Sequence, residues 1–192
     1  RPMSYPHMSQ NVLRLLDERA IESLPIFGHS MGGYVGLYLA VHAPDRISSL
    51  HTFGSYFEWD EQTAGRVLKD LDAQAIALKV PAFAQALERR HTSVDWRDVV
   101  ERTYALIDAT GAAPVLALTQ LGALTQRVRV GVGDRDNLTS VEAMVRLKNA
   151  IPNGELVVFP RTGHPIERAP LPIIAQSIIE FASPKAPEPE TK

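Results

Sequence analysis

The sequence contains no cysteine. Disulfide bonds, thiolate nucleophiles and cysteine-ligated metals are therefore excluded, and stability must come from packing. Histidines and carboxylates also lack a metal-ligand spacing such as H-E-x-x-H. We expect neither a metal nor a cofactor.

Strong basic charge and long apolar runs are absent as well. Lys and Arg number 20 against 22 Asp and Glu, for a formal net charge of -2, and no basic run is interleaved with aromatic residues. Nucleic-acid binding therefore has little support. The apolar runs are far shorter than the ~20 residues that a membrane helix needs. We expect a soluble, cytoplasmic protein whose partner is a small-molecule substrate, with no nucleic acid and no membrane.

Apolar strands alternate with helical patterns along the chain. With 192 residues, 45% of them apolar, a sizeable core is the default. Four short runs are almost continuously apolar, as buried parallel strands are: residues 23–28, 46–54, 128–134 and 155–160. Helical spacing marks residues 9–21, 31–44, 139–150 and 171–182. This order predicts an α/β fold, with a mostly parallel sheet and helices on both faces.

The stretch from Trp59 to about Leu121 breaks this alternation. Helical patterns follow one another there without a convincing strand, at residues 59–71, 80–90 and 94–110. We interpret this block as a helical cap inserted between two strands. The predicted organisation is a first core part at 1–54, a cap at 55–122, a second core part at 123–182 and a disordered tail, rich in proline and charge, at 183–192.

The motif "GHSMG" stands where a predicted strand gives way to a helix. It fits the G-x-S-x-G nucleophile elbow, a sharp turn that lifts the serine hydroxyl clear of the sheet. We expect a Cβ at Gly28 or Gly32 to clash with nearby backbone, and Ser30 to hold a strained conformation. The alternative is a serine in an ordinary tight turn.

A serine nucleophile needs a base, and the base needs a third group that orients it. "GDRDN" at 133–137 and "RTGHP" at 161–165 each follow a predicted strand. An acid and an imidazole therefore stand at the carboxyl ends of strands, where open α/β sheets assemble their sites. Asp134 and Asp136 are both candidates for the acid, and either could instead bond its own turn.

The segments "GHSMGG", "VGVGDRDNLTS" and "PNGELVVFPRTGHP", with the closing helix, resemble the carboxy-terminal two-thirds of a capped α/β-hydrolase-fold protein. The resemblance implies a partial α/β-hydrolase fold. It implies Ser30 as nucleophile and His164 as base. It favours Asp136 as the acid, because the family's acid usually lies three residues after the strand-ending glycine, here Gly133. The backbone N–H of Met31 becomes one oxyanion donor.

The function implied is that of a serine esterase-like hydrolase acting on a small ester, thioester or lactone through an acyl-enzyme. Other readings are a perhydrolase or C–C hydrolase with the same triad, and a non-catalytic, receptor-like or inactive truncated homologue. We expect the substrate pocket to be lined by residues around the elbow and the second strand: His29, His51, Phe53, Phe57 and Trp59. For His51 a buried core role is the alternative, and for His29 a packing role.

In the family, the second oxyanion donor lies several tens of residues before the elbow. Only 29 residues precede Ser30 here. We therefore expect this chain to be part of a longer hydrolase, or to pair with a missing N-terminal segment or with another copy of itself.

Overall fold

A computed structural model of the chain describes residues 2–183. The described chain forms two compact units. One contains the residues up to Met8 together with Glu58–Ala117, and the other contains Ser9–Phe57 and the chain from Leu118 onward. The disordered tail predicted at 183–192 lies, apart from Ser183, outside the described residues.

The sheet consists of four parallel strands in the order in which they occur along the chain. They are β1 (Leu24–His29), β2 (Ile47–Phe53), β3 (Arg127–Gly133) and β4 (Gly154–Phe159). His29 lies beside Phe53, and Phe53 lies beside Gly131. The carboxyl ends of the strands therefore meet at one edge, and the loops that follow β1, β3 and β4 leave from it.

The helices of the described residues, in chain order, are α1 (Tyr5–Glu18), α2 (Met31–His42), α3 (Glu61–Leu68), α4 (Ala73–Lys79), α5 (Pro81–Arg90), α6 (Trp96–Ala112), α7 (Leu118–Leu121), α8 (Val141–Asn149) and α9 (Leu171–Ala182). No helix within residues 2–183 combines the length and the apolarity needed to cross a lipid bilayer.

Helices cover both faces of the sheet. Leu50 and His51 are consecutive in β2, so their side chains point to opposite faces. A Cβ added to Gly36 of α2 would lie 2.6 Å from Leu50 Cδ1, which shows how closely α2 approaches that face. On the other face, the His51 ring lies 5.8 Å from the ring of Phe181 in α9.

An apolar cluster supports the carboxyl edge of the sheet. Phe53, Phe159 and Ile174 of α9 are each at most 2% exposed. The rings of Phe53 and Phe159 meet edge to face with centroids 5.6 Å apart. Each such side chain, fully buried, contributes roughly 1.5–3 kcal/mol to stability. The strand ends that position the candidate site therefore rest on well-packed side chains.

In the unit of Glu58–Ala117, three helices begin with an aspartate that caps their first turn. Asp60, Asp72 and Asp95 accept hydrogen bonds from backbone N–H groups at 2.6, 2.6 and 2.8 Å, at the starts of α3, α4 and α6. α4 lies between the helical segments predicted at 59–71 and 80–90, where the sequence analysis predicted no helix. The capping residue Asp72 was the available signal.

Candidate active site

Ser30 occupies the turn between β1 and α2. Its φ of 52° and ψ of −121° lie in a region that residues other than glycine rarely adopt. The strained turn is held by hydrogen bonds on both sides. Ser30 N–H donates to the carbonyl of Phe53 at 2.8 Å, and Gly33 N–H donates to the carbonyl of Ser30 at 3.0 Å. The main chain of Ser30 is thereby fixed at the carboxyl edge of the sheet.

The glycines of the elbow differ from the expectation. A Cβ on Gly28 would lie 2.6 Å from the backbone of both Gly32 and Gly33, so this position requires glycine. A Cβ on Gly32 would meet nothing within 4 Å, so the predicted clash at Gly32 is wrong. The second crowded position is Gly33, where a Cβ would run into the side chain of Ser55. The backbone of Gly32 lies close to Gly28, but the absence of a Cβ at Gly32 itself relieves no clash.

His164 lies in the loop after β4 and contacts both other candidate residues. Its Nε2 is 3.0 Å from Ser30 Oγ, and its Nδ1 is 2.9 Å from Asp136 Oδ2. Because an ionised carboxylate only accepts hydrogen bonds, Nδ1 carries the proton of the neutral ring. Nε2 is then left as the acceptor for the Ser30 hydroxyl proton. The arrangement is that of a hydroxyl, a base and an orienting acid.

The carboxylate of Asp136 is held from its other side by the backbone. Oδ1 accepts the N–H groups of Leu138 at 2.8 Å and Thr139 at 3.0 Å. The side chain is 0% exposed. Both oxygens thus have partners, and the acid cannot turn away from His164 without losing charge-assisted bonds.

Asp134, the other candidate acid, bonds a different part of the same loop. Its Oδ1 accepts the N–H of Thr162 at 3.1 Å. Hydrogen bonds from the backbone of Arg161 and then of Thr162 lower the pKa of its carboxyl. Arg135 N–H also donates to the Thr162 carbonyl at 3.0 Å. Asp134 therefore holds the chain two residues before His164, whereas Asp136 bonds the imidazole.

Gly54 is a site residue that the sequence analysis missed. It follows β2 with a φ of 59°, and a Cβ there would lie 3.0 Å from Asp136 Oδ2 and 3.3 Å from His164 Nδ1. The acid–base pair therefore sits directly against the backbone of Gly54. The only signal in the sequence is a glycine immediately after a strand, which is too common to be diagnostic.

The residues predicted to line a pocket are mostly buried in packing. His51 is 1% exposed, between the rings of Phe27 and Phe181. Phe53 and Phe57 are 0% and 3% exposed. The pocket-lining prediction is corrected for these three side chains, because they offer almost no surface to a ligand. At His51, burial and then the charge of Arg129 lower the pKa to about 4.

The remaining predicted residues lie in three different settings. His29 is half-buried, stacks on Phe53 with centroids 5.5 Å apart, and has its Nε2 2.9 Å from the carbonyl oxygen of His164. Met31 begins α2, so its N–H has no acceptor within the helix. Trp59 belongs to the unit of Glu58–Ala117. Among residues 2–183, no three His, Asp or Glu side chains cluster closely enough to hold a metal ion.

A family model described as the alpha/beta hydrolase fold matches residues 3–166. The chain belongs to the α/β-hydrolase fold family. The resemblance carried by "GHSMGG" and the two later loops is thereby confirmed.

A curated relative matches most of this chain. The protein named "Putative carbamate hydrolase RutD" of Caulobacter vibrioides is 25% identical over 175 residues, which cover 82% of this chain. Those residues span 64% of that relative, which is less than two thirds of its length.

Two solved structures show the fold. An α/β hydrolase enzyme from a Medee basin deep-sea metagenome library has a TM-score of 0.76 at 15% identity, covering 100% of this chain and 76% of the other. A thermophilic esterase from Thermogutta terrifontis has a TM-score of 0.66 at 23% identity, covering 94% and 73%. The predicted class, a partial α/β-hydrolase fold with a parallel sheet, is confirmed.

Proposed function

We propose that this protein is a serine hydrolase in which Ser30 is the nucleophile, His164 the general base and Asp136 the acid. The observation that carries the proposal is the continuous pair of hydrogen bonds, 3.0 Å from Ser30 Oγ to His164 Nε2 and 2.9 Å from His164 Nδ1 to Asp136. A hydroxyl is a weak nucleophile at neutral pH, and this arrangement is what activates it.

The first half of the reaction forms an acyl-enzyme. Ser30 Oγ attacks the substrate carbonyl carbon while its proton passes to His164 Nε2. The buried carboxylate of Asp136 stabilises the imidazolium that results, and the N–H of Met31 donates to the developing oxyanion. When the tetrahedral intermediate collapses, the bond to the leaving group breaks and His164 returns its proton to that group.

The second half of the reaction releases the carboxylic acid product. A water molecule gives a proton to His164 Nε2 as its oxygen attacks the acyl carbon on Ser30. Collapse of this second intermediate breaks the bond to Oγ, and the proton on His164 returns to the serine. The enzyme is regenerated, and the products are a carboxylic acid and the alcohol or thiol of the leaving group, which for a lactone are parts of one hydroxy acid.

The substrate class is a small acyl compound: an ester, a thioester or a lactone. Carbamates extend this class, because the relative from Caulobacter vibrioides bears the name of a carbamate hydrolase and a carbamate carbonyl is attacked in the same way. A panel of p-nitrophenyl acetate, p-nitrophenyl butyrate and a p-nitrophenyl carbamate separates these possibilities by their kcat/KM values.

The test is covalent labelling of the full-length protein by a fluorophosphonate probe, which reacts with an activated serine. We expect stoichiometric labelling that is lost in Ser30→Ala and in His164→Ala. A folded wild-type protein that takes no label contradicts the proposal and favours a non-catalytic binding protein. Labelling that persists in Ser30→Ala contradicts it equally.

A further inference from the structure

A hydrogen bond joins the nucleophile's strand to the backbone of the base. His29, the residue before Ser30, ends β1, and its Nε2 lies 2.9 Å from the carbonyl oxygen of His164. The two imidazole rings lie 5.2 Å apart, and the His29 ring also stacks on Phe53 with centroids 5.5 Å apart. The His29 ring therefore lies between the end of β2 and the loop that carries His164.

The direction of this bond follows from its partners. A carbonyl oxygen only accepts, so Nε2 of His29 must carry a proton and donate it. Burial lowers the pKa of His29 below its usual value, although the hydrogen bond to the His164 carbonyl opposes this shift. The ring is thus neutral at neutral pH, with its one proton on Nε2. A neutral neighbour is what His164 needs, because His164 itself becomes positively charged during the proposed reaction.

The bond supplies a restraint that the triad contacts do not. Asp136 and Ser30 hold the two ring nitrogens of His164. Upstream, Asp134 holds the backbone at Thr162. The following residue, Pro165, has no N–H with which to anchor the chain. The carbonyl of His164 is the point at which the backbone of the base itself is tied to the strand bearing Ser30.

We propose that His29 is a positioning residue that holds the main chain of His164, so that its imidazole stays aligned between Asp136 and Ser30. This inference rests on the proposed function, since it assigns His29 a role within that reaction. It also differs from the expectation that His29 contacts substrate. A positioning residue affects the rate of the chemical step, whereas a substrate contact affects binding.

The test compares His29→Phe with His29→Gln in the full-length protein. Phenylalanine keeps a ring to stack on Phe53 but has no donor, and the glutamine amide places an N–H where Nε2 stands. His42→Phe is the matched control, because it makes the same replacement at a ring that packs at a tilt against the ring of Tyr38, with centroids 4.1 Å apart. For each variant, inactivation by a fluorophosphonate probe is followed over a range of probe concentrations, giving kinact and KI separately.

We expect His29→Phe to lower kinact by about tenfold at unchanged KI, which is less than the ~10²-fold that a 1 Å misplacement can cost. We expect His29→Gln to recover kinact to within about threefold of the wild type, and His42→Phe to match the wild type. Active-site titration corrects each rate for the fraction of competent protein, so a loss of folded molecules alone does not lower kinact.

Three results overturn the inference. His29→Phe could keep the wild-type kinact, it could raise KI at unchanged kinact, or His29→Gln could be as slow as a folded His29→Phe. If His29→Phe does not fold, the comparison of His29→Gln with the wild type decides, and a tenfold loss there contradicts the inference. A wild-type protein without any labelling instead refutes the proposed function, and the two failures are therefore distinguishable.

Discussion

Gly28 and Gly32 occupy equivalent places in the G-x-S-x-G pattern, yet the structure predicts opposite responses to alanine. A Cβ at Gly28 would lie 2.6 Å from the carbonyl carbon and oxygen of Gly32 and from the Cα of Gly33. A Cβ at Gly32 would meet nothing within 4 Å. Comparing the two alanine variants therefore shows whether the turn requires glycine for steric reasons at each position, or whether glycine is only part of the sequence pattern there.

The magnitudes follow from these distances. For Gly28→Ala, backbone atoms must separate by about 0.8 Å to reach ordinary contact at 3.4 Å. Overpacking of this kind costs about 1–3 kcal/mol, and rigid backbone on both sides favours the upper end. For a domain of this size, that lowers Tm by about 6–12 °C. Gly32→Ala removes a flexible residue from the first turn of α2 and raises stability by up to about 1 kcal/mol.

Thermal unfolding followed by circular dichroism measures both effects. Gly65→Ala is the control, because Gly65 also lies in a helix, α3, with nothing within 4 Å of its Cβ position. We expect Gly65→Ala and Gly32→Ala to leave Tm unchanged or raise it, and Gly28→Ala to lower it. Equal destabilisation by Gly28→Ala and Gly32→Ala would refute the packing argument for this turn.

Three further predictions concern the acid, the glycine behind it and a buried histidine. Asp136→Asn should lower the fluorophosphonate labelling rate by about 10³–10⁴-fold, because the charge of Asp136 that orients His164 is lost. Asp134→Asn should keep most of the wild-type labelling rate. The reverse order of the two rates would exchange the roles of the two residues. Gly54→Ala should slow labelling by about 10–100-fold, because its Cβ presses on the acid–base pair, and should also lower Tm, because alanine at a φ of 59° is strained; wild-type labelling contradicts this. Burial lowers the pKa of His51 in the folded protein to about 4, below the unfolded value of 6.5. Its contribution to stability is thus present above pH 6.5 and is lost as pH falls toward 4, by roughly 3 kcal/mol at most. Urea unfolding at pH 7.5 and pH 4.5 should show a smaller drop for His51→Leu than for the wild type, and an equal drop contradicts the assignment.

The fold and the nucleophile turn were predictable because their signals are local. Apolar runs of strand length, separated by helical patterns, identify a parallel sheet regardless of how the chain packs. The elbow is recognisable at Ser30 because a strand, a serine between glycines and a helix follow one another without interruption. The space around each glycine depends on how the chain packs, which the motif does not reveal. For this reason the expected clash at Gly32 was wrong, and the crowding at Gly33 was overlooked.

The choice of acid and the pocket residues depend on directions that a sequence does not encode. Asp134 and Asp136 are the same residue type in one short loop, and they differ in which backbone N–H groups hold their carboxylates. β2 mixes polar and apolar residues on both of its mostly buried faces, so alternation could not tell whether His51 faces the site or the core. Its neighbours Phe27 and Phe181 show that it faces the core. The resemblance to a known family, rather than periodicity, favoured Asp136.

The central claim is that Ser30 becomes covalently acylated during turnover. The most direct measurement is acid quenching of the full-length protein within milliseconds of mixing with p-nitrophenyl butyrate, followed by proteolysis and mass spectrometry of the peptide containing residue 30. The account predicts a butyryl adduct on Ser30 that is absent from Ser30→Ala and that disappears on a timescale set by kcat. Turnover of the ester with no adduct on that peptide, or with the adduct on another residue, would contradict it.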